Sequence, residues 1–309
     1  MDKKTERLVD VARMYYEQDR TQSEIADQYG ISRPMVSKLL KEARDKGIVT
    51  IRISAPQEES GGALSLMELV GRCFGIYDGV AVPDGPNDQT TNEAVAEAAI
   101  SYLSGLGGTG LGSGWGHIIG DVVKHMEQRE TLVPIGTFVC PLIGNGGVGL
   151  KNYHSNELVR SIAEHSGAQP RFIYSPACVL SEQELKLTRE LDSYHEIYHV
   201  WEKLDVALVN IGNFPSVPDF ASEARYGDQL IRQKAVGRIL NYFMDSQGHI
   251  IRSDTDYAIQ IPLELLSGTR HVVGICSANT SPKAFRGALK TGYLKHFIAP
   301  EHVVREALE

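Results

Sequence analysis

The sequence predicts an α/β protein in two parts: an N-terminal winged helix-turn-helix domain and a larger C-terminal doubly wound α/β domain. Three observations predict it. Residues 1–47 place apolar side chains at helical spacing, with capping and turn residues between the runs. From residue 63 onward, short apolar strands alternate with helical stretches, the pattern of a parallel sheet covered on both faces. Charge is also divided. Residues 1–54 hold 11 Lys+Arg and 9 Asp+Glu, a net of +2, and the remainder of the chain, with 20 basic and 30 acidic residues, carries −10. An acidic body repels nucleic acid and a mildly basic head does not, so a polyanionic partner belongs to the head.

In the head, Leu8, Val11, Ala12 and Tyr15 fall at i, i+3, i+4, i+7 and mark one helix face. Thr21-Gln-Ser-Glu24 reads as a capping box opening a second helix, whose inner face is Ile25 and Ala26. Gly30 suits a turn at positive φ. Ser32 is placed to cap a third helix, with Pro34 in its first turn, where a missing N–H does no harm. Val36, Leu39, Leu40 and Ala43 repeat the inward spacing, and Gly47 ends the helix. Ile48–Ile53 is β-branched enough for a short wing strand. The inward face leaves Arg33, Met35, Ser37, Lys38, Lys41 and Arg44 pointing outward, and residues 32–46 hold five basic and two acidic residues. Hydroxyls and cations on such a helix suit the major groove of double-stranded DNA. Expected phosphate contacts are Thr21, Gln22, Lys41 and Arg44; expected base-edge residues are Arg33, Met35, Ser37 and Lys38, with Ser32 at the start of the same helix. The bland alternative is a helical pair with a solvated charged face, which the matching caps, turn and spacing argue against.

Residues 54–62, SAPQEESGG, read as a linker, so the expected domains are 1–53 and 63–309. In the body, helices are expected over 63–74, 92–103, 117–126, 154–166, 282–290 and at the end. Strands are expected over 78–82, 109–112, 131–140, 205–211, 271–276 and 295–299. Ligands in such sheets bind beyond the C-terminal strand ends. Polar or glycine-rich segments lie there at Gly112-Ser113-Gly114-Trp115-Gly116, at Gly144-Asn145-Gly146-Gly147 and at residues 212–213. Their backbone N–H groups suit an anion, so a small polar or phosphorylated ligand is expected. Residues 105–110 match G-x-G-x-x-G literally, but they follow a helical stretch rather than a strand, which argues against a dinucleotide fingerprint.

Catalytic and metal signals are thin. The ten histidines show no H-E-x-x-H, and His195 and His199, at i, i+4, sit in an ordinary amphipathic, Tyr-rich stretch. The four cysteines are scattered, with no Cys-x-x-Cys pair and no disulfide framework. No cofactor and no metal is expected. Lys283, at the start of a helix after a strand, either meets an anion, forms a Schiff base or is solvated. No apolar run reaches the roughly 18–20 residues that span a bilayer, and MDKKTERLVD carries no apolar signal region. Both point to a cytoplasmic protein with no membrane partner.

The segments YYEQDRTQSEIADQYGISRPMVSKLLKEARDKGIV, GSGWG, PLIGNGG, YHSN, LDVALVNIG, AVGRILNYFMDSQGHI and GALKTGY, in that order, make the chain resemble the SorC family of sugar-responsive bacterial transcription regulators over nearly its whole length. YHSN is most similar to the sorbose-operon regulator branch. The resemblance implies an effector domain similar to phosphosugar isomerases, a sugar or sugar-phosphate effector, and homodimers or homotetramers bound to operator DNA. It implies effector contacts at Gly112–Gly116, Gly144–Gly147 and Asn156. The chain departs from the family pattern in three places. Arg238 stands where the family usually has Asp, Ser281 where it usually has Lys (with Lys283 two residues on), and Ser277 and Ala278 where it has two glycines. An Arg donates and favours an anion where an Asp would accept from hydroxyls, so Arg238 and Lys283 join the expected effector residues; the alternative is an Arg238 that points to solvent. The expected function is a non-enzymatic, sequence-specific regulator of a carbohydrate operon. The rival is a sugar-phosphate isomerase or lyase with an accessory head, for which Asp84, Glu157 and Lys283 are scattered acid/base candidates. A weaker third reading has the head contacting protein.

Overall fold

The computed structural model describes residues 3–16, 18, 20–45, 48–49, 65–76, 78–147, 149–216 and 225–309, with the side chains of 3–6, 44 and 45 left aside. The chain forms two compact units, Met1–Ala63 and Leu64–Glu309. Of the expected wing strand only Ile48 and Val49 are described, as a bend, and the linker over 54–62 and Gly47 lie outside the described residues.

The first unit holds α1 (Lys3–Tyr16), α2 (Gln22–Tyr29) and α3 (Arg33–Asp45). Their apolar stripes meet in one core: Leu8, Val11 and Ala12, then Ile25 and Ala26, then Val36, Leu39, Leu40 and Ala43. The α2 entry is fixed by a reciprocal cap. Thr21 Oγ1 accepts from the Glu24 amide (3.3 Å) and Glu24 Oε2 accepts from the Thr21 amide (2.8 Å), a device worth about 1 kcal/mol. These bonds hold the Glu24 carboxyl below its ordinary pKa. Gly30 ends α2 at φ 61 and turns the chain toward α3. Among the described residues no atom lies within 4 Å of where a Cβ would sit on Gly30, so the cost of a larger residue there is that of the backbone conformation.

In the second unit, seven strands run parallel in the order β1-β9-β8-β5-β2-β3-β4: β1 (Gly79–Val82), β2 (Gly110–Ser113), β3 (Phe138–Pro141), β4 (Gln169–Pro170), β5 (Val206–Asn213), β8 (His271–Ile275) and β9 (His296–Pro300). An antiparallel hairpin, β6 (Gly237–Ile239) and β7 (Tyr242–Met244), extends from the end of β5. Helices α4 (Leu66–Phe74), α5 (Asp88–Leu106), α6 (His117–Glu127), α7 (Ser155–Ser166), α8 (Glu182–Glu190) and α9 (Asp192–Trp201), with helices at Leu263–Gly268, Pro282–Lys290 and Glu301–Leu308, flank the sheet. β5 and β8 are buried along nearly all their length, which is why they read as continuous apolar runs. The chain leaves β2 outward to β3 and β4, then returns to β5 on the other side of β2. The strand order therefore reverses between β2 and β5, the place where doubly wound sheets open a crevice at their C-terminal edge.

One expected strand is shorter than its pattern. Residues 131–137 carry no strand, and β3 begins only at Phe138. Val133 and Ile135 are buried, but Pro134 offers no N–H and Gly136 takes φ 144, so the ladder cannot start there.

Candidate ligand cavity and nucleic-acid face

A cavity of about 510 Å³ lies beyond the ends of β2 and β5. One wall is the start of α6, where Gly116, at φ 106, precedes His117 and Ile118 with no side-chain cap. An uncapped helix start presents first-turn N–H groups and the positive end of the helix dipole. Asn210, near the end of β5, is 9 % exposed, and its Oδ1 has no hydrogen-bond partner among the described residues. Such a buried acceptor suits a hydroxyl or N–H donor.

The opposite wall is the loop after β8, with Ser277, Asn279 and Thr280 on the cavity. Asn213 holds this loop twice: Nδ2 donates to the Asn279 carbonyl (2.9 Å) and Oδ1 accepts from the Ser281 amide (2.7 Å). Asn92 of α5 holds it again, its Oδ1 accepting from the Ala278 amide (2.7 Å). The Thr280 hydroxyl accepts from the Ser277 amide (2.9 Å). The wall is thus made of amides and hydroxyls, a surface that suits a polyol.

Arg238 and Asp121 bring charge to the cavity, and Tyr153 brings a phenol. Arg238 is 4 % exposed and lines the cavity, so it does not point to solvent. It lies across from Gly212 in the β5–β6 ladder, and a Cβ on Gly212 would come 3.1 Å from its Nε. The glycine leaves room for the Arg238 stem, whose Cγ would come 3.2 Å from such a Cβ. Burial pushes the Tyr153 phenol up while Arg238 pulls it down. Asp121, on α6, is raised by burial, opposed by His125, Lys124 and His117. Tyr153 packs edge-on against His117 (5.5 Å) and Trp115 (5.7 Å).

The expected effector residues divide sharply. Gly116 and Arg238 line the cavity; the others do not. Gly112 and Ser113 are interior β2 residues, and a Cβ on Gly112 would fall 2.3 Å from Leu142 Cδ2. Gly114 donates to the Leu208 carbonyl (2.8 Å), and Trp115 is fully buried behind Tyr153. Residues 144–147 form a packing loop: Gly144 donates to the Ile259 carbonyl (2.9 Å), Gly146 donates to the Tyr153 carbonyl (2.8 Å), and Asn145 Oδ1 accepts from the Asn156 amide (3.2 Å). Gly147 faces open space. Asn156 is spent on the backbone of Ile173, donating to its carbonyl (2.9 Å) and accepting from its amide (3.0 Å). Lys283 is exposed, away from the lining. Residues 212–213, expected beyond a strand end, do line the cavity, whereas Asn210 was passed over inside the apolar run of β5; an amide in that run is the signal that could have found it.

In the first unit, Arg33, Ser37, Lys38 and Lys41 of α3 are exposed, and Met35 is 45 % exposed beside them. Ser32, exposed, sits just before α3, and its carbonyl accepts from the Met35 and Val36 amides. The Arg44 side chain lies outside the described residues. Thr21 is exposed, but its hydroxyl is engaged with Glu24 (2.8 Å). A groove beside it gathers Tyr15, Tyr16, Arg20, Gln22, Ser23 and Arg33. Arg20 and Tyr16 carry no periodic signal, so sequence reasoning passed over them. Among the described residues no cluster of three metal-ligating side chains occurs, and no helix is long and apolar enough to cross a membrane.

Comparison with known proteins bears on both units. The profile of the Sugar-bind family, a sugar-binding domain, matches residues 59–309, and that of sigma-70 region 4 matches residues 5–46. The Sorbitol operon regulator of Klebsiella pneumoniae is 31% identical over 300 residues, covering 93% of this chain and 92% of that protein. The chain belongs to the SorC family. The Deoxyribonucleoside regulator of Bacillus subtilis is 27% identical, over 99% of this chain and 98% of its own length. The crystal structure of the full-length sorbitol operon regulator SorC from Klebsiella pneumoniae superposes with a TM-score of 0.71 at 27% identity, covering 100% of both chains. Within this SorC-family chain the cavity lies wholly in the matched sugar-binding region, and α2 and α3 lie wholly in the sigma-70 region 4 match.

Proposed function

We propose that this chain is a cytoplasmic, sequence-specific DNA-binding regulator of a carbohydrate-utilisation operon, controlled by a small sugar or sugar-phosphate bound in the switch-point cavity. The observation that carries the reading is a single chain holding both an α3 face of exposed cations and hydroxyls and a cavity lined by amides and hydroxyls. Asn92, Asn210, Asn213, Ser277, Asn279 and Thr280 meet the hydroxyls of a polyol. The α6 start and Arg238 favour an anionic group at one end. Arg33, Met35, Ser37 and Lys38 face base edges. Lys41, Gln22, Arg20 and the α2 start face phosphates. In a homodimer, or in each dimer of a homotetramer, two heads meet half-sites one helical turn, or a multiple, apart. A ligand shifts such an assembly only through unequal affinity for its arrangements. Fluorescence anisotropy on labelled DNA from upstream of the protein's own operon tests the reading, titrated with and without a panel of free and phosphorylated sugars. Specific, salt-steep binding that one compound shifts supports it. Absence of specific binding at low salt removes it.

One observation favours a second reading, a sugar-phosphate isomerase or lyase: the cavity holds Asp121, raised by burial, one turn along the same helix from His117. Asp84, Glu157 and Lys283 lie off the lining. Turnover of a panel sugar phosphate, abolished by Asp121→Asn, is what that reading requires. The regulators among the relatives favour the first.

A further inference from the structure

The loop that forms one cavity wall is held from behind by a histidine that faces two acceptors. His302, at the start of the helix Glu301–Leu308, places Nε2 2.9 Å from the Ala278 carbonyl oxygen and Nδ1 2.5 Å from Asp84 Oδ1. Asp84 Oδ2 also accepts from the His302 amide (3.0 Å), which fixes the ring's origin. On the other side of the same residue, in the preceding peptide group, the Ala278 amide donates to Asn92. Ala278 is therefore gripped at both its N–H and its C=O, and its neighbours Ser277, Asn279 and Thr280 are the residues that reach the cavity.

A neutral imidazole carries one N–H. Here both ring nitrogens face oxygen atoms that accept and do not donate, so only the imidazolium satisfies both contacts. We propose that His302 is a positioning residue for the effector loop, bridging Asp84 and the Ala278 carbonyl as an imidazolium and thereby setting Ser277, Asn279 and Thr280 against the cavity in a proton-dependent way. This rests on the cavity being the effector site.

The surrounding charges agree. Asp84, beyond the end of β1, and Glu306, one turn on in the same helix, are the charged groups acting on the ring, while Asn92 and the loop 277–280 bring neutral atoms. Arg305 of that helix pairs with Glu301. Burial pulls the ring's pKa down, but Asp84, the Ala278 carbonyl and Glu306 outweigh it, and the net shift is upward. The sign follows. A raised folded-state pKa means the clamp is fully formed below the ordinary histidine value of about 6.5 and is lost as pH rises through the raised midpoint.

The test needs no ligand. Backbone amide exchange at residues 278–281 is followed against pH in the full-length protein, beside an NMR titration of the His302 ring. Wild type is expected to lose protection about tenfold, beyond the intrinsic pH effect, as the ring deprotonates. His302→Gln, whose amide donates to Ala278 without titrating, is expected to keep protection and lose the pH dependence. Asp84→Asn is expected to lower the ring's midpoint and move the loss of protection to lower pH with it. The proposal is overturned if wild-type protection follows intrinsic exchange across the ring's titration, or if Asp84→Asn leaves the midpoint in place. Neither readout involves an effector, so they stand or fall separately from sugar binding, which the anisotropy panel reads.

Discussion

Replacing Asn210 with leucine is expected to separate ligand recognition from folding. Asn210 is 9 % exposed, its Oδ1 has no hydrogen-bond partner among the described residues, and its Nδ2 lies 3.4 Å from where a Cβ on Gly116 would sit. Leucine keeps the branch at the γ carbon and removes the polar atoms. In the folded protein this deletes a buried acceptor that no described group satisfies, so stability is expected to hold or to rise by up to about 1 kcal/mol. For a bound polyol the sign reverses, because its hydroxyl loses the acceptor in a desolvated site. That costs about 1–3 kcal/mol, or roughly 5- to 150-fold in Kd. The assay is isothermal titration with the panel compound that shifts operator binding, beside urea denaturation of the ligand-free protein. Weaker ligand binding with undiminished stability is the expected pair. Unchanged affinity refutes the role given to Oδ1. A loss of 2 kcal/mol or more in stability refutes the claim that the atom is unserved by the protein.

Other parts of the molecule give predictions of known sign. Asp256 accepts from Arg225 Nε (2.8 Å) and from the Tyr226 hydroxyl (2.6 Å), and Arg225 is 2 % exposed. Asp256→Ala leaves a buried guanidinium without its carboxylate and is expected to cost about 3–5 kcal/mol by urea denaturation. Gly112→Ala drives a Cβ to 2.3 Å from Leu142 Cδ2 in a closed core, with an expected loss of about 1–3 kcal/mol. Asp205 Oδ2 accepts from the Thr109 hydroxyl (2.6 Å) and amide (2.7 Å), and these bonds hold its carboxyl below the ordinary range. A depressed folded pKa contributes stability above the unfolded value of about 3.9 and loses it as pH falls through the folded value. The stability gap between wild type and Asp205→Asn, measured from pH 7 downward, should therefore close only in acid. Lys41→Ala is expected to weaken DNA binding alike for all sequences and to reduce the salt slope by about 1.

How far the sequence was legible depended on the kind of signal. The head was legible because α1 to α3 each bury one stripe, and Thr21, Gly30 and Pro34 punctuate them by local chemistry. β5 and β8 were legible as apolar runs because both faces are covered. α8 has no buried residue to carry a periodicity, and the hairpin β6–β7 is only three residues a side with Leu240 at positive φ in its turn, so neither announced itself. The site was harder. Gly112, Gly144 and Gly146 looked like a phosphate cradle, yet each is a glycine because a neighbouring side chain or carbonyl occupies the space of its Cβ. Glycine content reports close approach, and sequence does not say whether the approaching group is ligand or protein. Arg238 was legible as a cation near the site, but its place against β5 depends on Gly212, a cross-strand partner 26 residues away.

The most direct test of the account is reciprocal coupling, since it claims one protein joins α3 to the switch-point cavity. The affinity of the active panel compound should be measured by isothermal titration with and without saturating operator DNA, at one salt concentration. The account predicts that operator changes the compound's Kd by the same factor by which the compound changes the operator's Kd. A compound Kd that is the same with and without operator would contradict it.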